Sequence, residues 1–252
     1  MSNYFKNFPK ALYRFGDEAE VKGGGDLVTE FTQDLSIYVD VIDQVRENSS
    51  FYQKYYIQNG QRPDQVSYEI YGEVDYHWTF FMMNDHLRTS GWPLSDSELA
   101  KRIKIDFPHK TITVRENLTG IFKPGEVAVG SSSGTSGIIK RRKLDLGQII
   151  IDTKGSNFSV GEVVYTAASA QATRPVTVVS NENEYLAAHH YIDSTTRKFK
   201  DIDPATGPGA NDIEVSNYDR YIEQNDELKQ IRVITPSSIN VITGAYRKAL
   251  RS

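Results

Sequence analysis

FYQKYYIQNGQRPDQVSYEIYGEVDYHWTFFMMNDHL, residues 51–87, holds the densest aromatic run of the chain and reads as strand, tight turn, helix, turn, helix. Tyr52 to Ile57 is short, aromatic and β-prone, and Asn59-Gly60 supplies a turn in which Gly60 takes a positive φ without steric cost. Pro63 suits the first position of a helix, where its missing N–H costs nothing, and Asp64 sets a carboxylate beside the positive helix end. That helix is expected to run to about Tyr71, with Val66, Ile70 and Tyr71 inward, and to stop at Gly72. A second helix, Tyr76 to Asn84 with Asp75 as its cap, carries Trp78, Phe80, Phe81, Met82 and Met83 and has hardly any polar face. Such a helix must be covered on several sides.

Strand, Gly-containing turn, helix, Gly, helix ending in Asn resembles the opening of a LysM domain, the small β-α-α-β module. More closely, the stretch resembles the signature of a baseplate wedge subunit of contractile-tailed, T-even-type bacteriophages with a LysM-like core. The shared elements are the aromatic strand, Gly60-Gln61-Arg62-Pro63-Asp64, Ile70-Tyr71-Gly72, His77-Trp78, and an apolar run closing on Asn84-Asp85. Resemblance returns in YDRYIEQNDELKQIRVITPSSI, so that it covers about Asp34 to Ile105 and Tyr218 to Ile242. Between these spans the chain departs from the phage pattern by a long insertion. Tyr56, Gly60, Pro63, Tyr71, Gly72, Trp78 and Asn84 are the expected core motif.

At 252 residues the chain is long enough for one large domain, or for a small one with an inserted module. A net charge of −4 argues against a nucleic-acid binder, because phosphate recognition needs a clustered positive field. Absent cysteine excludes disulfides, thiolate metal sites and cysteine nucleophiles. No apolar run approaches the ~20 residues that span a bilayer, and MSNYFKNFPKALYRFG lacks a signal-type apolar segment, so a soluble chain not exported by the general route is expected. Fifteen tyrosines and eleven phenylalanines suit either protein interfaces or a Tyr-rich core and surface.

Residues 1–25 read as an arm: Tyr4, Phe5, Phe8, Leu12, Tyr13 and Phe15 keep no sustained period, and Gly23-Gly24-Gly25 follows as a link. The arm either folds back or lies on a neighbouring subunit. Leu27 to Val41 partly alternates and suggests an extended segment. After the break at Gly91-Trp92-Pro93, Ser95 and Glu98 form a capping box that opens a helix to about Ile103. Short strands then follow at 110–114, 126–129, 138–143, 148–152, 160–166 and 175–179. FKPGEVAV (122–129) recurs loosely as FSVGEVVY (158–165), which reads as two similar hairpins in a barrel or sandwich. Residues 184–209 are expected to be irregular. Ser216 caps a helix to about Leu228, Gln230 to Ile234 is a strand that pairs with Tyr52 to Ile57, and Pro236 opens a helix with Ile239, Ile242, Tyr246 and Leu250 on one face.

The expected fold class is α+β: a LysM-like β-α-α-β core, an extended N-terminal arm and an inserted small all-β domain. Its expected divisions are an arm at 1–25, the first part of the core at 26–108, the β insertion at 109–182, and a return and closing part at 183–252.

Several stretches invite chemistry. His189-His190 suggests a metal pair, but neighbours on a strand or helix point apart and no third ligand sits at i+3 or i+4. GSSSGTSG (130–137) lacks the Gly-Lys-Ser/Thr ending of a phosphate loop and reads as a hairpin or loop. Lys140-Arg141-Arg142-Lys143 reads as a solvated face or a contact for an acidic partner. Glu69, Glu73 and Asp75 show no spacing for paired carboxylate catalysis, and Trp78 beside His77 reads as core. No catalytic residue, metal ligand or cofactor is expected.

The resemblance implies a structural virion protein that joins neighbouring wedges and stabilises the baseplate of a contractile tail, assembled in the host cytoplasm. It implies partners among other baseplate wedge subunits, sheath-initiating or hub proteins in a multi-copy ring, and neither nucleic acid nor membrane. Tyr4, Phe5, Phe8, Tyr13, Phe15, Trp92 and Tyr246 are the expected contact residues. The alternative that resemblance leaves open is a LysM-type module binding peptidoglycan or chitin.

Overall fold

The computed structural model describes residues 10–15, 28–33, 45–166 and 174–249. Helices and antiparallel sheets occur together in an α+β fold. The chain divides into two compact units, Met1–Pro93 with Asp226–Ser252, and Leu94–Asn225.

In the first unit, β1 (Lys10–Phe15) pairs antiparallel with β2 (Val28–Gln33), Lys10 opposite Gln33 and Phe15 opposite Val28. The expected arm therefore contains a strand, whose backbone groups are satisfied by the extended segment that follows. A six-residue strand bearing Lys, Tyr, Arg and Phe has too mixed a pattern to announce itself. β3 (Tyr52–Tyr56) leads through Gly60, at φ +75°, into α1 (Pro63–Tyr71). The Arg62 N–H donates to Gln65 Oε1 at 2.9 Å, and Gly72, at φ +74°, ends the helix with its N–H on Tyr68 O.

The second expected helix is broken up. A 3₁₀ turn, Val74–Tyr76, precedes α2 (Trp78–Met83), and a separate α3 (Asp85–Ser90) follows at once. Asp75 lies inside the 3₁₀ turn, not at a cap. Local side chains take up the carbonyls that a longer helix would have used: Ser67 Oγ donates to Glu73 O at 2.6 Å and Thr79 Oγ1 to Tyr76 O at 2.7 Å.

The second unit opens with α4 (Asp96–Asp106), where Ser95 and Glu98 cap each other as the sequence suggests. Seven strands then form one antiparallel sheet: β4 (Lys110–Thr113), β5 (Val127–Gly130), β6 (Ser136–Lys143), β7 (Gln148–Asp152), β8 (Val163–Thr166), β9 (Val176–Thr177) and β10 (Ser180–Asn183). Their order across the sheet is β10-β4-β7-β6-β5-β8-β9. The two end strands are consecutive in the chain. Between them Val178 bonds to Glu162 O and accepts from Gly161, while the Val179 N–H donates to Thr113 O, so the sheet closes on itself as a small barrel. Ile112, Ala128, Ile139, Ile149, Ile151, Val164, Val176 and Val178 fill it, with Phe122 and Phe158 among them.

The two loosely similar octapeptides hold equivalent places. Gly125 N–H donates to Ile139 O and Ile139 N–H to Glu126 O; Gly161 N–H donates to Val178 O and Val178 N–H to Glu162 O. β5 and β8 lie side by side with Ala128 opposite Thr166, Val129 opposite Tyr165 and Gly130 opposite Val164, a register that maps onto itself when the repeats are exchanged. A local two-fold therefore passes between Val129 and Tyr165. At Gly137 an added Cβ would lie 2.5 Å from the Asp152 carbonyl oxygen. Gly137→Ala is expected to destabilise this unit by about 2 kcal/mol, read as a lower midpoint in urea with an unchanged slope.

The stretch expected to be irregular instead carries a three-stranded sheet, β12-β11-β13, of β11 (Ala188–Asp193), β12 (Phe199–Lys200) and β13 (Asp212–Ser216). Turns built on Asp193 and Asp203, whose carboxylates accept backbone N–H groups, join strands whose residues are too polar to alternate visibly. Ser216 and Asp219 cap α5 (Asn217–Lys229) reciprocally. The second unit thus takes in α4 and most of α5 beside the expected all-β span. Tyr221 stands edge-on to Phe107 at 5.3 Å and donates to Asp106, and the Asn225 amide clamps both the N–H and the carbonyl of Leu94.

β14 (Gln230–Ile234) returns to the first unit and pairs antiparallel with β3, from Gln230 opposite Tyr56 to Ile234 opposite Tyr52, the pairing expected from sequence. α6 (Ile239–Ala249) closes the chain. Among the described residues two clusters hold this unit together: Ile57, Val66, Phe80, Leu87, Ile231 and Val233 in one, and Val45, Met83, Ile234 and Ile239 in the other. Tyr71 touches both, and its hydroxyl donates to Ile234 O at 2.9 Å. Tyr71→Phe is expected to cost about 1 kcal/mol in equilibrium unfolding, the net worth of one such bond.

Candidate interaction module

The signature stretch is a packed block. Phe80 has no exposed surface and lies between Tyr71, at 6.1 Å, and Trp92, at 6.0 Å, ring to ring. Trp92, expected as a partner contact, leans on this cluster and donates its Nε1–H to Gln61 O at 2.7 Å. Tyr246, expected as a partner contact, is instead buried within the chain: it is 2% exposed and packs against Trp78 at 5.4 Å. Thr243, one turn earlier on α6, donates to Ile239 O, so the buried face of α6 is Ile239, Thr243 and Tyr246 with Ile242 at its margin. The exposed surface of that helix is the opposite face, where Val241 is 73% exposed. Of the other expected contacts, Tyr13 and Phe15 lie in β1, while Tyr4, Phe5 and Phe8 fall outside the described residues.

Within the expected core motif, Gly60, Pro63 and Gly72 shape turns, Tyr71 is interior, Trp78 is half-buried and Tyr56 is exposed. Asn84 does more than end a helix. Its Nδ2 donates to Phe80 O and to Arg232 O, each at 2.8 Å, and its Oδ1 accepts the Arg232 N–H at 2.8 Å. A side-chain amide thereby stands in for a neighbouring strand along the outer edge of β14. Only the Asn after an apolar run hinted at this; its partner lies 148 residues away.

The stretches that suggested chemistry are occupied internally. The Ser132 and Ser133 N–H and hydroxyl groups and the Ser159 N–H all bind the carboxylate of Glu162, which is 6% exposed. The loop 130–137 is therefore a hairpin whose anion is a side chain of the same barrel. Burial pushes the Glu162 carboxyl up, but the bonds from Ser133, Ser159 and Ser132 outweigh it and hold the group at about 2. The four basic residues 140–143 have partners within the unit, Lys140 and Arg141 while remaining exposed: Lys140 pairs with Asp152 at 3.3 Å, Arg141 with the buried Glu184, Arg142 reaches the Leu118 and Ile121 carbonyls, and Lys143 the Ala188 carbonyl. Glu69 accepts from Tyr55 and Gln61.

His189 and His190 overturn the expectation that neighbours point apart. A β-bulge between Ala188 and His190 brings the two Nδ1 atoms to 2.9 Å, with His190 stacked on Phe199. Burial and the nearby Lys143 and Arg220 charges lower both imidazoles from their ordinary value. Among the described residues, no three His, Cys, Asp or Glu side chains converge as a metal site, and no helix is long and apolar enough to cross a membrane.

What the first unit contains is a small helix-backed block around β3 and β14, with Tyr71, Phe80 and Trp92 packed together while Tyr56 and Tyr68 stay exposed. Residues 28–105 match the family model described as base plate wedge protein 53, so this part of the chain is similar to a phage baseplate structural protein. The match covers under a third of the 252 residues and ends before the second span of resemblance, at 218–242. No curated protein matches the chain.

Proposed function

We propose that the chain is a wedge component that joins neighbouring wedge subunits and stabilises the ring of a contractile-tail baseplate. In this reading β3, α1, α2 and β14 form a LysM-like core used as a docking block, and the second unit is an insertion that adds contacts. One observation carries the reading: the segment matched to the wedge family, 28–105, is the part whose aromatic and apolar side chains build the core closed by β14. A rigid block with its own core presents a preformed surface, which limits the entropy lost on assembly. Other wedge subunits and hub or sheath-initiating proteins are the proposed partners, and the virion tail the proposed location.

The test is assembly. The purified chain, mixed with the wedge proteins of the same phage, is expected to convert single wedges into joined wedges and rings, seen by sedimentation and electron microscopy. Complete rings forming equally well without the chain would overturn the reading.

A further inference from the structure

The β3–β14 sheet of the first unit has two outer edges, and they are treated differently. Along β14, the Asn84 amide takes both backbone groups of Arg232 and the Tyr71 hydroxyl takes the Ile234 carbonyl. Along β3, the bonds from Ile57 N–H to Lys229 O and from Thr235 N–H to Phe51 O fix which groups face β14, so Tyr52, Lys54 and Tyr56 direct theirs outward. Among the described residues only the Tyr56 carbonyl has a partner there, the Gln58 amide at 3.3 Å. Folded proteins usually cover or distort such an edge, because its open donors and acceptors accept another strand.

The side chains on the same face specify what that strand would be. Lys54 stands directly opposite Arg232 in the register, in a pair whose backbones do not bond each other and whose side chains are therefore closest. Two like charges so placed repel. Both are exposed; the Arg232 guanidinium lies over the Tyr52 ring at 5.1 Å. Beside them an open groove of about 630 Å³ runs past Tyr56, which is 48% exposed, and Gln230.

We propose that the outer edge of β3 is a docking site for an acidic, extended segment of a partner protein. The segment adds as a third strand, bonds to the outward backbone groups of Tyr52 and Lys54, and sets a carboxylate between Lys54 and Arg232. The charge pair then acts as a selector: it deters neutral or basic strands and is neutralised by an acidic one. The inference goes beyond the wedge reading and stands without it.

The test uses the full chain and three capped, fluorescent heptapeptides. One alternates threonine with glutamate, one alternates threonine with lysine, and one is the acidic peptide with N-methylated backbone amides. The acidic peptide is expected to bind and to slow hydrogen exchange at the Tyr52 and Lys54 amides at least ten-fold, while the other two do not bind. Lys54→Glu pairs with Arg232, leaves no excess charge at this position and should abolish the preference for the acidic peptide over the basic one. Lys54→Gln removes the charge alone and should weaken binding of the acidic peptide while the thermal midpoint stays or rises; Lys54→Pro removes the outward N–H as well and should abolish that binding. Equal binding of the N-methylated peptide, full displacement by inorganic phosphate at matched ionic strength, or self-association of the chain through β3 would overturn the proposal. So would a lowered midpoint in Lys54→Gln, which would make the charge a structural one.

Discussion

Replacing Asn84 by leucine is expected to destabilise the first unit by about 4 kcal/mol, the largest loss among the polar substitutions considered. The residue is 4% exposed, and its amide supplies three hydrogen bonds, two of them to Arg232 and one to Phe80. Leucine is similar in size, so little volume is lost; what remains is a donor and two acceptors with nothing facing them. Each such buried group costs about 1–3 kcal/mol. Asn84→Asp keeps the acceptor for the Arg232 N–H but turns a lone pair toward two carbonyl oxygens, and it should be no better than half as damaging. Urea unfolding of the whole chain, followed by tryptophan fluorescence from Trp78 and Trp92, isolates the effect because both tryptophans lie in this unit. A loss below 1 kcal/mol in Asn84→Leu would mean that water replaces the amide along β14.

The second large effect is at Glu162. Glu162→Gln preserves shape but presents an amide to a cradle built wholly of donors, the N–H groups of Ser132, Ser133 and Ser159. A loss of about 3 kcal/mol is expected. The pH dependence gives an independent reading. The folded carboxyl sits at about 2, below its ordinary 4.5, so the folded state holds its proton less readily than the unfolded chain. The stabilisation is therefore complete above about 4.5 and is lost as pH falls toward 2. Wild type should show this slope between those values, and Glu162→Gln should lack the share that Glu162 supplies. An unchanged slope in the variant would assign the acid sensitivity to other carboxylates.

The legible parts of this chain were those where one residue type forces one local outcome. Gly60, Gly72, Pro63 and the Ser95–Glu98 pair fixed turns and caps because φ sign, a missing N–H or a reciprocal hydrogen bond leaves few alternatives. The β3–β14 pairing was readable because both strands are β-prone and their signature implied a missing partner. What stayed hidden depended on distant groups. The sheet of β11, β12 and β13 is polar and turn-rich, and its bulge at His189 reverses the alternation on which side-chain direction is judged. Tyr246 looked like a contact because helical spacing finds a face without saying what covers it; here Trp78 does. Glu162 and the serines of 130–137 were each visible, but 30 residues separate partners that meet only when the barrel closes.

The interruption of the first unit sets an order of events at the ribosome. β3 emerges early, whereas the strand that completes it is made only after the whole of Leu94–Asn225. At about 5–20 residues per second, that delay is on the order of ten seconds or more, far longer than a small domain needs to fold. The later-made unit is thus finished first, and its compaction brings the ends of a long loop together before β14 seeks β3, which lowers the entropy of that search. Until then the nascent chain shows Phe80 and its neighbours to solvent, a window in which a chaperone has more to hold than at any later time.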